Sequence, residues 1–235
     1  MVDLAHISKK ELGKLFDHSV LPKNACEREI REGCRTARAY NCAAFYSATS
    51  YWTPVVREEL AGSDLLIGTG IDFPFGASPL PVKIAQMEEA LRAGCNTLDL
   101  IINVGAVRDG RYDVTKAELD AFKRIAGKDA LTKVILEVCF LTDEEITRVC
   151  GLIAEAGLDY AKTSTGQYEG PSMDQFLVMK KALTGTGVRL KVAGVKFPRP
   201  QNAYAFIKAG AELIGTRASG QIIDAYDQMK EIGLL

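Results

Sequence analysis

Three charged side chains interrupt apolar segments of the sequence: Asp99, Lys162 and Lys191. Asp99 lies in the run TLDLII, Lys162 follows Tyr-Ala, and Lys191 lies in the run RLKVAG. A charge inside a buried strand is unfavourable unless an opposite charge or a hydrogen bond compensates it. A lone strand lysine more often reaches the surface, but three such residues on three segments predict one shared polar site.

Two lysines and a carboxylate in one site can perform imine chemistry. A lysine attacks a carbonyl group only as the neutral amine, and burial or a nearby ammonium lowers its pKa. Lys191 can lower the pKa of Lys162 in this way, while Asp99 can pair with Lys191 and move protons through a water molecule. The trio therefore predicts Schiff-base chemistry at Lys162.

Further polar residues near these segments are candidates for contacts with the substrate or the lysines. Three hydroxyl residues follow Lys162 directly: Thr163, Ser164 and Thr165. Their hydroxyls either surround the imine or form ordinary strand and turn hydrogen bonds. Glu137, in the run VILEVC, either orients a lysine or balances its charge. Asn103, at the end of the Asp99 segment, either lines the pocket or forms a turn.

Histidine is scarce in this chain, which contains only His6 and His18. A catalytic zinc centre usually takes two or three histidine ligands, so a catalytic metal is not expected. No other cofactor is predicted either. Chemistry based on a Ser-His-Asp triad also lacks candidate bases. We therefore expect lysine and carboxylate groups to carry the reaction.

Charge and composition exclude several classes of partner. The chain has 29 basic and 30 acidic residues and no long block of either sign, which argues against binding to nucleic acid or to a membrane surface. No apolar run is long enough to span a membrane, and the amino-terminal residues do not resemble a secretion signal.

The six cysteines form no CxxC pair and are expected to be small buried residues in a reducing compartment. We expect a cytoplasmic protein with a small-molecule partner.

The elements that must position these residues form a repeating pattern, in which a short apolar run is followed by an amphipathic run of helical period. Eight runs are predicted strands: residues 15–21, 42–47, 65–73, 97–103, 133–140, 160–165, 189–194 and 213–217. Most are apolar almost throughout, as expected of parallel strands buried on both faces. Eight βα units without a linker predict one (β/α)8 TIM barrel over residues 1–235, whose active site would lie at the carboxyl ends of the strands. A doubly wound open sheet is the alternative, but its glycine fingerprint is missing after the first strand.

Several helix boundaries are marked in the sequence. Thr142 and Glu145 form a capping-box pattern, Ser78 before Pro79 fits an N-cap followed by the first helical residue, and Ser172 precedes a helical run. Three glycines are expected to close helices before the next strand: Gly94, Gly157 and Gly210.

Five segments resemble motifs of the 2-deoxyribose-5-phosphate aldolases. Residues 17–21 resemble the first-strand motif, and residues 72–77 resemble the Phe-Pro-x-Gly segment after the third strand. Residues 98–106 match the motif around the proton-relay aspartate, and residues 161–166 match the Schiff-base motif, which is the most specific of the five. Residues 190–194 are similar to the strand that carries the second lysine.

This resemblance implies a metal-independent class I aldolase. The enzyme would reversibly cleave 2-deoxy-D-ribose 5-phosphate to D-glyceraldehyde 3-phosphate and acetaldehyde. Lys162 would form the imine and then the enamine, Lys191 would tune the pKa of Lys162, and Asp99 with water would move protons. Barrels of this kind are often dimers, so a homodimer is expected.

The loops that hold the phosphate in this family are altered in this chain, at residues 194–198 and 215–220. The expected contacts in and near these loops are Gly166, Gly194, Gly215 and Ser219. Arg217 and Lys196 could clamp the phosphate, bind a carboxylate instead, or lie in solvent.

Two alternatives therefore stay open. One is a related class I aldolase or thiolase-like lyase that acts on another phosphorylated or acidic substrate. The other is a barrel that binds a sugar phosphate without catalysis. The sequence also leaves open the roles of Tyr46, at a strand-two position where many family members carry cysteine, and of Tyr168.

Overall fold

The structure is a computed structural model, in which residues 3–235 are described. The strands found in these residues are β1 (Phe16–Val20), β2 (Ala44–Ser47), β3 (Leu66–Ile71), β4 (Thr97–Ile101), β5 (Leu131–Ile135), β6 (Tyr160–Lys162), β7 (Arg189–Ala193) and β8 (Leu213–Thr216). Every neighbouring pair is parallel, and β1 pairs with both β2 and β8. The ring of strands is closed, so the predicted TIM barrel is confirmed and the open-sheet alternative is wrong.

The α-helices described in the same part of the chain are α1 (Lys9–Gly13), α2 (Glu27–Ala39), α3 (Thr53–Glu59), α4 (Leu80–Ala93), α5 (Val104–Arg108), α6 (Tyr112–Ala126), α7 (Asp143–Glu155), α8 (Met173–Leu183), α9 (Arg199–Ala209), α10 (Ser219–Asp224) and α11 (Tyr226–Glu231). Two short 3-10 helices lie at Ser50–Trp52 and Val138–Phe140. At least one helix or 3-10 turn lies between each pair of successive strands, as the repeating pattern predicts.

Most of the predicted helix ends are confirmed. The Thr142 side chain accepts a hydrogen bond from the backbone N–H of Glu145 at the start of α7, and Ser172 caps α8 in the same way. Gly94 and Gly210 end α4 and α9 with positive φ angles of 105° and 118°, which glycine adopts easily. Gly157, with a φ of 64°, directly follows the last turn of α7.

The prediction for Ser78 is wrong. α4 begins at Leu80 and its N-cap position is Pro79. The Ser78 hydroxyl and backbone N–H both donate to the Asp72 carboxylate, each at 2.7 Å, so Ser78 belongs to the turn that precedes the helix.

The fifth strand also differs from its predicted bounds of 133–140, because it begins earlier and ends at Ile135. Glu137 has a φ of 55°, a left-handed conformation that ends the extended backbone. Its carboxylate accepts hydrogen bonds from the Thr165 backbone N–H and from the Thr165 hydroxyl, at 3.1 and 2.5 Å. The chain turns at this point because Glu137 reaches across to the segment after β6.

Strand geometry separates the charged residues from the apolar core. Side chains alternate between the two faces of a strand. Leu98 and Leu100, on either side of Asp99, belong to the apolar core together with buried helix residues such as Ile146 and Val149. Asp99 itself faces the inside of the barrel, where a polar cluster takes the place of apolar packing.

Candidate active site

A cavity of about 270 Å³ opens at the carboxyl ends of the strands. Its lining includes all three charged residues predicted from the sequence: Asp99, Lys162 and Lys191. This end of a (β/α)8 barrel is where the active sites of such enzymes lie, because the loops there can vary while the strands stay fixed.

The three residues contact one another directly. Lys162 Nζ donates to Asp99 Oδ2 at 2.6 Å, and Lys191 Nζ donates to the same oxygen at 3.0 Å. Lys162 and Lys191 are neighbours in the β6–β7 register, which places the two ammonium groups side by side. The predicted pairing of Asp99 with Lys191 is present, and Asp99 pairs with Lys162 as well.

Two further charged residues extend this contact, and neither was predicted as a site residue. Lys191 Nζ lies 2.7 Å from Asp17 Oδ2, and Lys133 Nζ lies 3.2 Å from the same oxygen. We call these five buried residues the charge cluster: Asp17, Asp99, Lys133, Lys162 and Lys191. The sequence did contain a signal for these two residues, because Asp17 and Lys133 are charged residues within predicted strands. Lys133 stood first in its predicted strand, where a lysine usually reaches the rim, but β5 begins at Leu131 and Lys133 is its central residue.

Burial and the cluster together set the protonation of these groups. The pKa of Lys162 is lowered to about 8, chiefly by burial; the Asp99 carboxylate opposes this effect, and the Lys191 ammonium adds to it. Burial alone would lower the pKa of Lys191, but the carboxylates of Asp17 and Asp99 outweigh burial and raise it. Burial would likewise raise the pKa of Asp99, yet the ammonium groups of Lys162 and Lys191 hold it well below its usual value. Of the two lysines that contact Asp99, Lys162 is therefore the one that becomes a neutral amine more readily.

The rate of adduct formation at Lys162 is expected to depend on pH in one direction. The neutral fraction rises with pH through a pKa of about 8, so the rate should increase tenfold per pH unit well below 8 and level off above it. This curve is measured by trapping an aldehyde with borohydride for a fixed time at each pH between 6 and 10. A flat profile would contradict the assigned protonation state.

The hydroxyl residues after Lys162 differ in position. Thr163 Oγ1 donates to the Ala193 carbonyl at 3.3 Å and accepts from the Ala193 N–H at 3.1 Å, so it joins the segment after β6 to β7 outside the cavity lining. Ser164 is also buried away from the cavity lining. Thr165 lines the cavity and is held by Glu137. Glu137 thus contacts this loop rather than a lysine.

Gly166, Gly194 and Gly215, the three predicted glycines, all line the cavity. The backbones of the loops after β6 and β7 are in close contact there. A Cβ atom at Gly170 would lie only 1.8 Å from the Gly194 carbonyl oxygen. Gly194 also has a φ of 74°, which favours glycine. The wall of the cavity on this side is therefore main chain.

The charged and polar loop residues are divided between the cavity and its surroundings. Arg217 lines the cavity as predicted, and so does Arg199 at the start of α9, which was not predicted. Lys196 instead pairs with Glu169 at 2.8 Å, outside the lining. Ser219 is buried in a 2.8 Å hydrogen bond with the His18 ring and also lies outside the lining.

Asn103 lies outside the cavity lining and forms a turn, the second of its two predicted readings. Its side chain accepts from the Ala106 N–H at 3.0 Å and caps α5. Its own N–H donates to Glu118, which forms a buried ion pair of 2.7 Å with Lys83. Asn103 therefore fixes the loop after β4.

The two tyrosines that the sequence left open lie in different places. Tyr46 is buried and lines the cavity. Tyr168 is exposed on the loop after β6, where its ring packs edge-on against Phe140 at 5.1 Å between ring centres. Tyr46 is thus the one of the two that can contact the charge cluster.

No helix between residues 3 and 235 is long and apolar enough to cross a membrane. Over the same residues, the structure contains no group of three His, Cys, Asp or Glu side chains that could hold a metal ion.

Two curated relatives are both described as deoxyribose-phosphate aldolases. The chain is 37% identical over 212 residues to a deoxyribose-phosphate aldolase from Brevibacillus brevis, covering 90% of this chain and 95% of that protein. It is 34% identical over 214 residues to a deoxyribose-phosphate aldolase from Clostridium tetani, covering 91% of this chain and 98% of that protein. A comparison with protein-family models found no match.

Solved structures agree with the closed barrel. The aldolase QR15 superposes with a TM-score of 0.85 at 27% identity, covering 99% of this chain and all of that one. A tetrameric deoxyribose phosphate aldolase from Aeropyrum pernix has the same fold, with a TM-score of 0.85 at 24% identity over 94% of this chain and 93% of that one.

Proposed function

The chain belongs to the deoxyribose-phosphate aldolase family, and on that premise we propose that Lys162 is the amine that forms a Schiff base with the substrate. The enzyme is a class I aldolase that reversibly cleaves 2-deoxy-D-ribose 5-phosphate to D-glyceraldehyde 3-phosphate and acetaldehyde. The observation that carries the assignment of Lys162 is its contact with Asp99 beside Lys191 at the cavity.

In the cleavage direction the neutral Lys162 amine attacks the aldehyde carbon of the open-chain sugar, and loss of water leaves an iminium ion. The bond between C2 and C3 then breaks as the C3 hydroxyl loses its proton, and the electron pair of that bond forms the enamine. Protonation of the enamine carbon and attack by water release acetaldehyde and restore the amine. Each step needs a proton donor or acceptor close to Lys162 Nζ.

The contacts of Asp99 support a role in this proton transfer. Its Oδ2 atom contacts both lysines, and its Oδ1 atom is buried at the cavity without a hydrogen-bond partner in the described chain. A buried acceptor without a partner is unfavourable unless a water molecule or a substrate hydroxyl completes it. We assign Asp99, with a bound water, as the acid and base of the reaction, and Lys191 as the charge that keeps Lys162 nucleophilic.

A direct test combines trapping with turnover. The purified enzyme is mixed with acetaldehyde and borohydride, and the modified residue is mapped by mass spectrometry. Cleavage of deoxyribose 5-phosphate is followed in parallel by acetaldehyde release, with and without EDTA. An adduct on Lys162 and equal turnover in EDTA are expected, whereas the absence of an adduct on any lysine would refute the mechanism.

The phosphate is expected to bind where the main-chain wall meets the two arginines of the lining. Backbone groups at Gly166, Gly194 and Gly215 supply one side, and the guanidinium groups of Arg199 and Arg217 supply charge. Arginine forms strong hydrogen bonds with phosphate oxygens. Arg199 takes the place of Lys196 in the proposed clamp, because Arg199 lines the cavity and Lys196 does not.

Replacement of Arg217 or Arg199 by glutamine is expected to raise KM for deoxyribose 5-phosphate by about tenfold or more, since a charged hydrogen bond is lost. Turnover of non-phosphorylated 2-deoxyribose should stay unchanged, because it makes no such bond. Lys196→Gln is the matched control, and steady-state kinetics on both sugars measure the effect. An equal rise of KM in Lys196→Gln would contradict the assignment of the arginines.

The alternatives left open by the sequence are not favoured by the curated relatives from Clostridium tetani and Brevibacillus brevis, which are both named deoxyribose-phosphate aldolase. We further propose that residues 1–235 act as a single catalytic domain, which the barrel spanning Phe16–Thr216 supports.

A homodimer is the proposed assembly, supported by self-association in the tetrameric relative, and mass measurement in solution would test it. The cytoplasmic location also stays a proposal, which the free state of all six cysteines supports and cell fractionation would test.

A further inference from the structure

Tyr46 lines the cavity but takes no part in the imine chemistry described above. Its hydroxyl accepts a hydrogen bond from Lys133 Nζ at 2.7 Å and lies 2.7 Å from the Thr97 hydroxyl. Lys133 Nζ also donates to Thr97 Oγ1, at 2.8 Å. Groups on β4 and β5 therefore fix the hydroxyl end of the Tyr46 ring.

The face of the Tyr46 ring contacts Lys191. Lys191 Nζ lies 4.2 Å from the centre of the ring, and the same ammonium contacts Asp17 at 2.7 Å and Asp99 at 3.0 Å. An ammonium over an aromatic face is attracted by the negative charge of the ring's π-system, most strongly where water is excluded. Lys191 is thus held by three groups, which belong to β1, β2 and β4.

The space for the Tyr46 ring is provided by Gly68. The two residues are partners in the β2–β3 register. A Cβ atom at Gly68 would lie only 2.4 Å from the Cζ atom of Tyr46 and 2.5 Å from Cε1, far inside van der Waals contact. Any side chain at position 68 would therefore displace the ring from Lys191.

Building on the aldolase function proposed above, we propose that Tyr46 is a positioning residue of this reaction. Its ring, seated against Gly68, holds the Lys191 ammonium beside Asp99 and Lys162. Tyr46 does not touch the reacting atoms in this role; it acts through Lys191.

The consequence concerns the amine at Lys162. Lys191 is faced by titratable groups from five other strands: Asp17, Tyr46, Asp99, Lys133 and Lys162. A Lys191 ammonium that is displaced from this position repels the Lys162 ammonium less. The pKa of Lys162 then rises, and the enzyme needs a higher pH to form its imine.

The experiment compares the pH dependence of borohydride trapping with acetaldehyde, and of kcat/KM, in four variants. The acid limb is the part of each curve in which the rate rises with pH. Tyr46→Phe keeps the ring, so its acid limb is expected to lie at the same pH as that of wild type. Tyr46→Leu and Gly68→Ala should each move that limb upward by about half a pH unit or more, since the aromatic contact is lost or displaced. In the Tyr46→Leu background, Gly68→Ala should add no further shift, because the ring it would displace is gone.

An unchanged acid limb in Tyr46→Leu would overturn the proposal, and so would an equal shift in Tyr46→Phe, which would assign the effect to the hydroxyl. Circular dichroism shows whether each variant is folded. If Tyr46→Leu does not fold, the proposal is tested by comparing Gly68→Ala with Tyr46→Phe. Acid limbs at the same pH in these two variants would overturn the proposal. Failure of wild type to form any adduct would instead refute the aldolase function itself, so the two failures are distinguishable.

Discussion

Replacement of Lys162 by methionine is expected to abolish borohydride trapping and to reduce cleavage of deoxyribose 5-phosphate by at least about four orders of magnitude. The covalent route is lost with the amine, and loss of the nucleophile in other covalent enzymes has effects of this size. Methionine keeps an unbranched side chain of similar length and leaves Asp99 paired with Lys191. Removal of one partner from a buried ion pair is strongly destabilising when the other charge is left unpaired, but Asp99 keeps Lys191 as a partner, so the variant should stay folded.

The matched control is Lys181→Met, which makes the same substitution at an exposed lysine on α8. This variant should trap acetaldehyde and turn over like wild type. Mass spectrometry of the trapped protein and thermal unfolding of both variants complete the comparison. If folded Lys162→Met still forms an adduct at another lysine and retains turnover, Lys162 is not the essential nucleophile.

Replacement of Asp99 by asparagine is expected to separate imine formation from turnover. Lys162 is still present and should still trap acetaldehyde, but cleavage should fall by about 10² to 10⁴-fold, the usual contribution of a general acid and base. The Asp99 carboxylate raises the pKa of Lys162, so its removal lowers that pKa. The acid limb of the trapping curve should therefore move to lower pH, opposite to the shift expected for Tyr46→Leu.

Asp120→Asn provides the control, because Asp120 is exposed on α6 and pairs with the surface residue Lys116. Trapping rates and kcat are measured for both variants across the same pH range. Cleavage within tenfold of wild type in Asp99→Asn would show that another group transfers the proton. Loss of trapping together with turnover would show that Asp99 is needed to form the imine.

The barrel could be predicted from the sequence because parallel strands buried on both faces leave a local signature. Each of the eight apolar runs overlaps an observed strand, and their number and order follow directly. The end of β5 could not be predicted, because Glu137 turns there to reach Thr165, which is 28 residues away in the chain. Ser78 was misassigned for a related reason, since its hydroxyl bonds to Asp72 and not to the helix.

The centre of the site was predicted better than its edges. Asp99, Lys162 and Lys191 stand out because a charge in an apolar run needs a partner, and the structure brings them together. Their catalytic roles, like those of the other site residues, stay predictions. Whether Lys133 is central in β5 or at its end depends on where β5 begins, which the local pattern did not show.

Residues in the loops were harder to place, since adjacent side chains there point in different directions. Ser219 bonds to His18, and Lys196 pairs with Glu169, each outside the cavity lining, whereas Arg217 faces the cavity. These directions are set by partners that are distant in sequence. Spacing within a loop therefore cannot distinguish a residue that binds substrate from one that holds the loop.

The charge cluster also divides by sign between the two halves of the chain. Both carboxylates, Asp17 and Asp99, come from β1 and β4, whereas the three ammonium groups come from β5, β6 and β7. Each half-barrel alone would enclose cluster charges of a single sign, which is strongly unfavourable without partners. The two halves are thus electrostatically complementary, and the interior approaches neutrality only when the ring of strands is complete.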